Sequence, residues 1–207
     1  MAYCVVQDVY DFSDLDNDAV SPAVLQKFVD LAYYQINQLT GTFYSTTVEG
    51  CTTVSESLDP TAITTDIGES YLVLGRYPVQ YLSSISINSS SYATTNFVVY
   101  DDRLKIGTDV TSVATFGTYP KNVSVTYKYG VIDAESFNVA KQLNIIMAVL
   151  DFLLTPKGRN TYMDNSRFAE INHNDVRPND MVETYIAQLR EKVNELKSLL
   201  GVAHKFF

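Results

Sequence analysis

The spacing of apolar residues divides the chain into a helical start, a strand-rich middle and a helical end. Ser21-Pro22 is a helix-start signal, a capping hydroxyl followed by proline at the first helical position. Leu25, Phe28, Ala32, Ile36 and Leu39 then recur at steps of three and four, and Gly41 closes the segment, which predicts a helix over 21–40. Between 42 and 130 the period changes to two. Val79, Tyr81, Ile85 and Ile87 alternate with polar residues, as do Val123, Val125, Tyr127 and Tyr129. Asp101-Asp102 separates two short apolar runs, Phe97–Tyr100 and Arg103–Ile106, the pattern of a tight hairpin.

Helical spacing returns over 133–155. There Val139, Leu143, Ile146, Leu150 and Leu153 form a stripe widened by Ile145, Met147 and Val149, so this helix is expected to be covered on most sides. Thr155-Pro156 is read as its end, because a residue preceding proline avoids the helical region. Residues 157–179 are polar, carry glycine and proline breakers, and read as a long flexible loop, expected to become ordered in an assembly. A last helix over 180–200 carries a narrow row of Val182, Tyr185, Leu189, Val193, Leu196 and Leu200, and the chain continues to Phe206-Phe207. The order predicts an α+β protein: a helical body, an inserted antiparallel β region and a long C-terminal helix.

Charge adds an asymmetry that the pattern does not show. The formal charge is −9, yet residues 1–70 hold 11 acids and one lysine while the remainder nearly balances. Such a balance argues against a protein that grips nucleic-acid phosphates, which needs clustered Lys and Arg. The two cysteines, Cys4 and Cys51, lack Cys-x-x-Cys spacing and read as reduced thiols. No leader segment or membrane-spanning run is legible.

Chemistry is sparse. Asp14, Asp16 and Asp18 open like a calcium loop, but Ala19 and Leu25 occupy the positions that need Gly and Glu. His173 and His204 have no metal-ligand spacing, and a Cys51–His173 dyad has no local support. Lys157, Arg159, Arg167 and Arg177 give the 157–179 segment a basic tint that a solvated loop explains. No catalytic, cofactor or metal site is expected.

Two segments carry a resemblance. Leu74-Gly-Arg-Tyr-Pro-Val79 runs into a strand, and Val123–Gly130 is followed by an acidic cap and a long apolar helix. With the capped helix behind an Asp-rich opening, residues 10–155 resemble the head–tail connector (adaptor, head-completion) proteins of tailed bacteriophages. The resemblance implies a core over 1–156 and a non-enzymatic virion protein of the neck, assembled in the host cytoplasm. It also implies a ring beneath the portal, typically of twelve copies, through which DNA passes without specific binding. Its partners would be the portal protein and a tail or stopper protein, with no membrane and no cofactor. The apolar row of the last helix, with Phe206 and Phe207 in a docking segment 180–207, is expected to meet the portal. Asp11, Asp14, Asp16 and Asp18 are expected to face the channel. The alternatives are another neck or tail-completion component, or a small hydrolase or ligand-binding domain.

Overall fold

The structure, a computed structural model, describes residues 2–13, 15, 18–58, 63–66, 69–106, 123–165 and 178–201. The chain divides into two compact units, one helical, from residues 1–41 and 135–207, and one of β-structure, from 42–134. This is the expected α+β arrangement, with the boundary drawn differently: the C-terminal helix belongs to the helical unit instead of standing apart from a 1–156 core.

Among the described residues, five helices build the first unit: α1 (Val6–Ser13), α2 (Pro22–Thr40), α3 (Ala134–Leu153), α4 (Pro156–Asn165) and α5 (Pro178–Leu199). α2 begins and ends at the expected places. Ser21 is extended and its carbonyl accepts the Val24 and Leu25 N–H groups, but its hydroxyl makes no capping hydrogen bond, so the start rests on Pro22 at the first helical position; Gly41 adopts a left-handed φ of 70°. The buried positions are Leu25, Val29, Ala32 and Ile36, whereas Phe28 and Leu39 are only half-buried. α3 is buried nearly all round, as its widened stripe suggests.

The centre of this unit is a polar side chain. Asn144 of α3 is fully buried; its Nδ2 donates to the Val29 carbonyl of α2 at 2.9 Å, and its Oδ1 accepts the Tyr3 N–H at 3.2 Å. One amide thus reaches two backbone groups more than a hundred residues away: the Tyr3 N–H, and the Val29 carbonyl, which sits inside α2 and belongs to that helix's own ladder as well. Tyr3 is held further by packing on Tyr33 and Phe137 and by donating its hydroxyl to Asn37 Oδ1.

Two helices lie where none was expected. α1 buries Val9, Tyr10 and Ser13 at helical spacing, and the Asp8 carboxylate caps its start by accepting the Val5 N–H at 2.8 Å. α4 occupies the first part of the segment read as a loop. Thr155-Pro156 is a start signal of the same kind as Ser21-Pro22: Thr155 Oγ1 accepts the Gly158 N–H at 3.0 Å and donates to the Phe152 carbonyl at 2.7 Å. The dipeptide therefore ends one helix and begins the next, and α4 leaves α3 at 97°. Gly158 makes the corner possible, since a Cβ there would stand 2.0 Å from the Phe152 carbonyl oxygen. Residues 166–177 of the expected loop lie outside the described residues.

Among the described residues, the β unit holds two four-stranded antiparallel sheets and a short parallel pair. β2 (Thr52–Leu58), β9 (Val123–Tyr129), β5 (Val79–Ile87) and β6 (Ser90–Tyr92) form one sheet in that spatial order. β3 (Ile63–Asp66), β4 (Glu69–Val73), β8 (Arg103–Ile106) and β7 (Phe97–Val99) form the other. β1 (Tyr44–Ser45) runs parallel to β10 (Val131–Ile132). Both sheets contribute to one core: Leu72, Phe97 and Leu104 from one, and Leu82, Ile85, Val123, Val125 and Tyr127 from the other. β7 and β8 pair across Asp101-Asp102 as the hairpin pattern predicts. β9 keeps its alternation intact, with Val123, Val125, Tyr127 and Tyr129 all buried.

β5 departs from the expected face. Its pairing with β9 slips between Val79 and Tyr81 and again between Leu82 and Ser84, so Leu82 points into the core and Tyr81 is 52% exposed. Each extra residue reverses the side on which the following side chain falls, and simple alternation cannot register that.

Three substitutions test these points by chemical denaturation. Leu82→Ala should cost about 2–5 kcal/mol, whereas Tyr81→Ala should stay within about 0.5 kcal/mol of the parent. Asn144→Ala should destabilise by about 1–3 kcal/mol, because it leaves the buried Tyr3 N–H without its acceptor. Gly158→Ala should lose about 1–3 kcal/mol through the forced contact with Phe152; an unchanged midpoint would mean that the corner between α3 and α4 is slack.

Candidate interaction surfaces

The apolar row of α5 is not an open docking surface. Val182, Leu189, Val193 and Leu196 are buried together with Ile186, against the protein's own helices. Tyr185, which the sequence places in the row, is displaced by Ile186; it is half-buried and stacks on Tyr162 of α4 at 5.3 Å with the rings 8° from parallel. Arg159 and Glu183 add an ion pair at 2.6 Å between the same two helices. Leu200 is half-buried. A row at three- and four-residue steps says that a face will be covered and leaves the identity of the cover open; here the rest of the helical unit supplies it. Phe206 and Phe207 lie outside the described residues.

Of the acidic positions, Asp11 and Asp18 are exposed, and Asp14 and Asp16 lie outside the described residues. Asp11 accepts a hydrogen bond from Gln7 Nε2 at 2.7 Å. Asp8 pairs with Lys141 of α3 at 2.8 Å. Partial burial works against its ionisation, but the Lys141 ammonium and the Val5 N–H outweigh that and hold the carboxyl below its ordinary range.

The described surfaces that present large apolar side chains lie elsewhere. On α2, Leu31 and Tyr34 are 46% and 64% exposed, one turn apart, with the exposed Lys27 and Gln38 on the same stripe. On the β unit, the register places Tyr71 opposite Lys105, Lys105 opposite Val98, and Val73 opposite Arg103. Their neighbours Leu72, Leu104 and Phe97 fill the core, so these residues share the outer face of that sheet. Tyr71 meets Tyr100 edge to face at 5.8 Å, and the Arg103 guanidinium lies 5.4 Å from the Tyr71 ring centre. Asp102 fixes that guanidinium through a 2.8 Å ion pair, and the same contact draws the Asp102 carboxyl below its ordinary range. The outer face is therefore aromatic and cationic, with Val73, Val98 and Tyr100 exposed. Alternation flags these residues as the outward half of their strands, but it cannot say that three strands bring them together.

The other polar clusters serve the fold. Tyr127 Oη accepts the Arg76 N–H at 3.0 Å beside Glu56, whose carboxylate accepts the Gly75 N–H at 3.0 Å. Burial pushes the Tyr127 hydroxyl above its usual range, and Tyr129 in the same direction. Cys4 and Cys51 are free and buried. Burial, with Asp8 nearby, raises the Cys4 thiol to about 12 and raises Cys51 as well, which makes both poor nucleophiles. His173, the other half of the conceivable dyad, lies outside the described residues. Among the described residues there is no group of three or more His, Cys, Asp or Glu placed to hold a metal ion, and no single helix is long and apolar enough to cross a membrane.

Asp151 of α3 is the one strained acid of the helical unit among the described residues. Its Oδ2 is buried without a hydrogen-bond partner, as is Gln35 Oε1 of α2. Burial raises its pKa, and a hydrogen bond from Gln35 and the charge of Lys197 offset only part of that. An acid whose folded pKa exceeds its unfolded value costs stability as the pH rises through that interval, and the cost persists at neutral pH. Asp151→Asn should therefore raise the melting temperature at pH 7, with the gain shrinking as the pH falls toward 3. A gain independent of pH would show that the carboxylate charge is not its source. Thiol reagents at pH 7.5 should label neither Cys4 nor Cys51 in the folded protein and both in urea.

No known protein-family model matches this chain, and no curated protein sequence matches it either.

Proposed function

We propose that the chain is a structural, non-enzymatic protein of the tailed-phage neck, a head–tail adaptor that forms a ring beneath the portal and extends the DNA channel. The observation that carries this reading is the pair of unlike exposed apolar surfaces on its two units. Leu31 and Tyr34 of α2 offer an aliphatic and aromatic stripe, while Tyr71, Val73, Val98, Tyr100 and Arg103 offer an aromatic, cationic sheet face. A ring closes through heterologous contacts, which require two different patches on every subunit. A two-fold dimer needs only one. The acidic helical unit, with Asp11 and Asp18 exposed, suits a channel wall that DNA passes without sticking, because anionic groups release no counterions from phosphates.

The purified protein should be a monomer or weak oligomer alone and assemble into a ring when mixed with its portal, as read by native mass. Val98→Asp and Leu31→Asp, both at exposed positions, should leave the melting temperature within a few degrees and reduce ring formation at least tenfold, since each buries a charge in a contact. A tight two-fold dimer with no affinity for a portal would overturn the proposal. So would a particle reconstruction that places Asp11 and Asp18 on the outer rim, for the channel-facing part.

A further inference from the structure

The sheet formed by β2, β9, β5 and β6 ends in two open edges. Among the described residues, the ladder bonds of β2 run to β9 and those of β6 to β5, and no other backbone hydrogen bond reaches either strand. β2 lacks the usual protections of an edge. It holds no proline or lysine, its register with β9 is unbroken over 7 residues, and its one charge, Glu56, lies on the core side and accepts the Gly75 N–H. β6 is uncharged as well. The unpaired N–H and C=O groups of such edges are a template for another strand.

Four strands, each antiparallel to the next, make the two edges run in opposite directions. A second copy in the same orientation therefore brings its β2 antiparallel to β6 of the first, and the sheet continues across the junction with both faces kept. We propose that β6 of one copy pairs with β2 of the next, with Tyr92 opposite Val54, Ser91 opposite Ser55 and Ser90 opposite Glu56.

The side chains on each face fit this register. Val54 and Tyr92 are half-buried against the β core, so they meet at its flank as an aromatic and β-branched pair. Ser55 and Ser91 are exposed on the other face, where their ladder neighbours Thr126 and Ser86 are small hydroxyl residues too. Ser90 brings a hydroxyl donor to the Glu56 carboxylate. Pairing of β2 with itself about a two-fold axis is poorer. Its full-length register sets Glu56 against Val54, and the shift that joins Val54 to Leu58 sets Glu56 against Glu56. Unlike edges give a head-to-tail contact that repeats from copy to copy. Closure of such a row into a ring rests on the reading given above; the junction itself does not. With β6 only 3 residues long, the contact offers few hydrogen bonds and suits copies held side by side in an assembly.

The test is disulfide trapping in the full-length chain, at high protein concentration and with no portal present, where oxidation captures transient contacts. Ser55→Cys combined with Ser91→Cys sets two thiols at one junction pair, whose Cα separation of about 4.5–5.5 Å lies within the span of a disulfide. Within one copy the two positions stand three strand spacings apart, about 14 Å, too far to bridge. Because Cys4 and Cys51 are buried, they do not compete. Glutathione disulfide should give a ladder of covalent dimers, trimers and larger species that dithiothreitol collapses. Ser55→Cys with Ser90→Cys, which moves the second thiol to the opposite face of β6, should give about tenfold less. Equal yields from the two pairs, or no ladder from either, would overturn the inference. So would dimers from Ser55→Cys alone at the rate of the double variant, which would assign the β2 edge to two-fold pairing. A missing ladder leaves the neck reading standing, and a missing affinity for a portal leaves the junction standing.

Discussion

The helical unit depends on the amide of Asn144. A fully buried polar side chain is tolerated only when its bonding capacity is met, and Asn144 meets it with backbone groups of Val29 and Tyr3. Those bonds fix three elements at once: the start of the chain, the middle of α2 and the middle of α3. Most of the other buried positions of α3 are apolar, because its one fully buried amide is spoken for. The aromatic cluster of Tyr3, Tyr33 and Phe137 gathers at the same point.

That constraint explains how a β unit can be inserted between α2 and α3. The two flanks of the insertion are bound to each other by long-range contacts within the helical unit. The β unit has a core of its own, drawn from both sheets and centred on Tyr127. Its short parallel pair, β1 with β10, joins the entry and the exit of the insertion. Gly130, at a positive φ, lets the exit strand pass close to the Phe43 carbonyl, where a side chain would collide. Two cores and two closures make each unit self-consistent, and the apolar side chains left outside belong to surfaces of different chemistry. The α2 stripe is aliphatic and aromatic. The sheet face is aromatic and cationic, held in place by an Arg103–Asp102 pair whose exposure limits what it adds to stability.

Phe12 near the end of α1, Ile145 and Ile146 of α3 and Leu189 of α5 line an open groove of ≈ 500 Å³. α5 turns most of its apolar row inward, with Tyr185 and Leu200 half-buried, and among the described residues its exposed large apolar side chain is Leu199 in the last turn.

Much of the fold was legible in the residues themselves. Local chemistry determined the ends of α2, through Ser21-Pro22 and Gly41, and period alone determined the length of α3, the face of β9 and the hairpin at Asp101-Asp102. These features depend on backbone geometry and on burial of one face, both of which act over a few residues. Tertiary structure decided the rest. It turned Thr155-Pro156 from a stop into a corner, because proline suits the first turn of a helix as well as the end of one. It turned Tyr81 outward through a bulge in the pairing of β5 with β9. It also buried the α5 row inside the chain's own helical unit, and it assembled the Tyr71–Tyr100–Arg103 face from segments up to thirty-two positions apart. A periodic sequence specifies that a face will be covered; what covers it is chosen by elements far along the chain, and no local pattern records that choice.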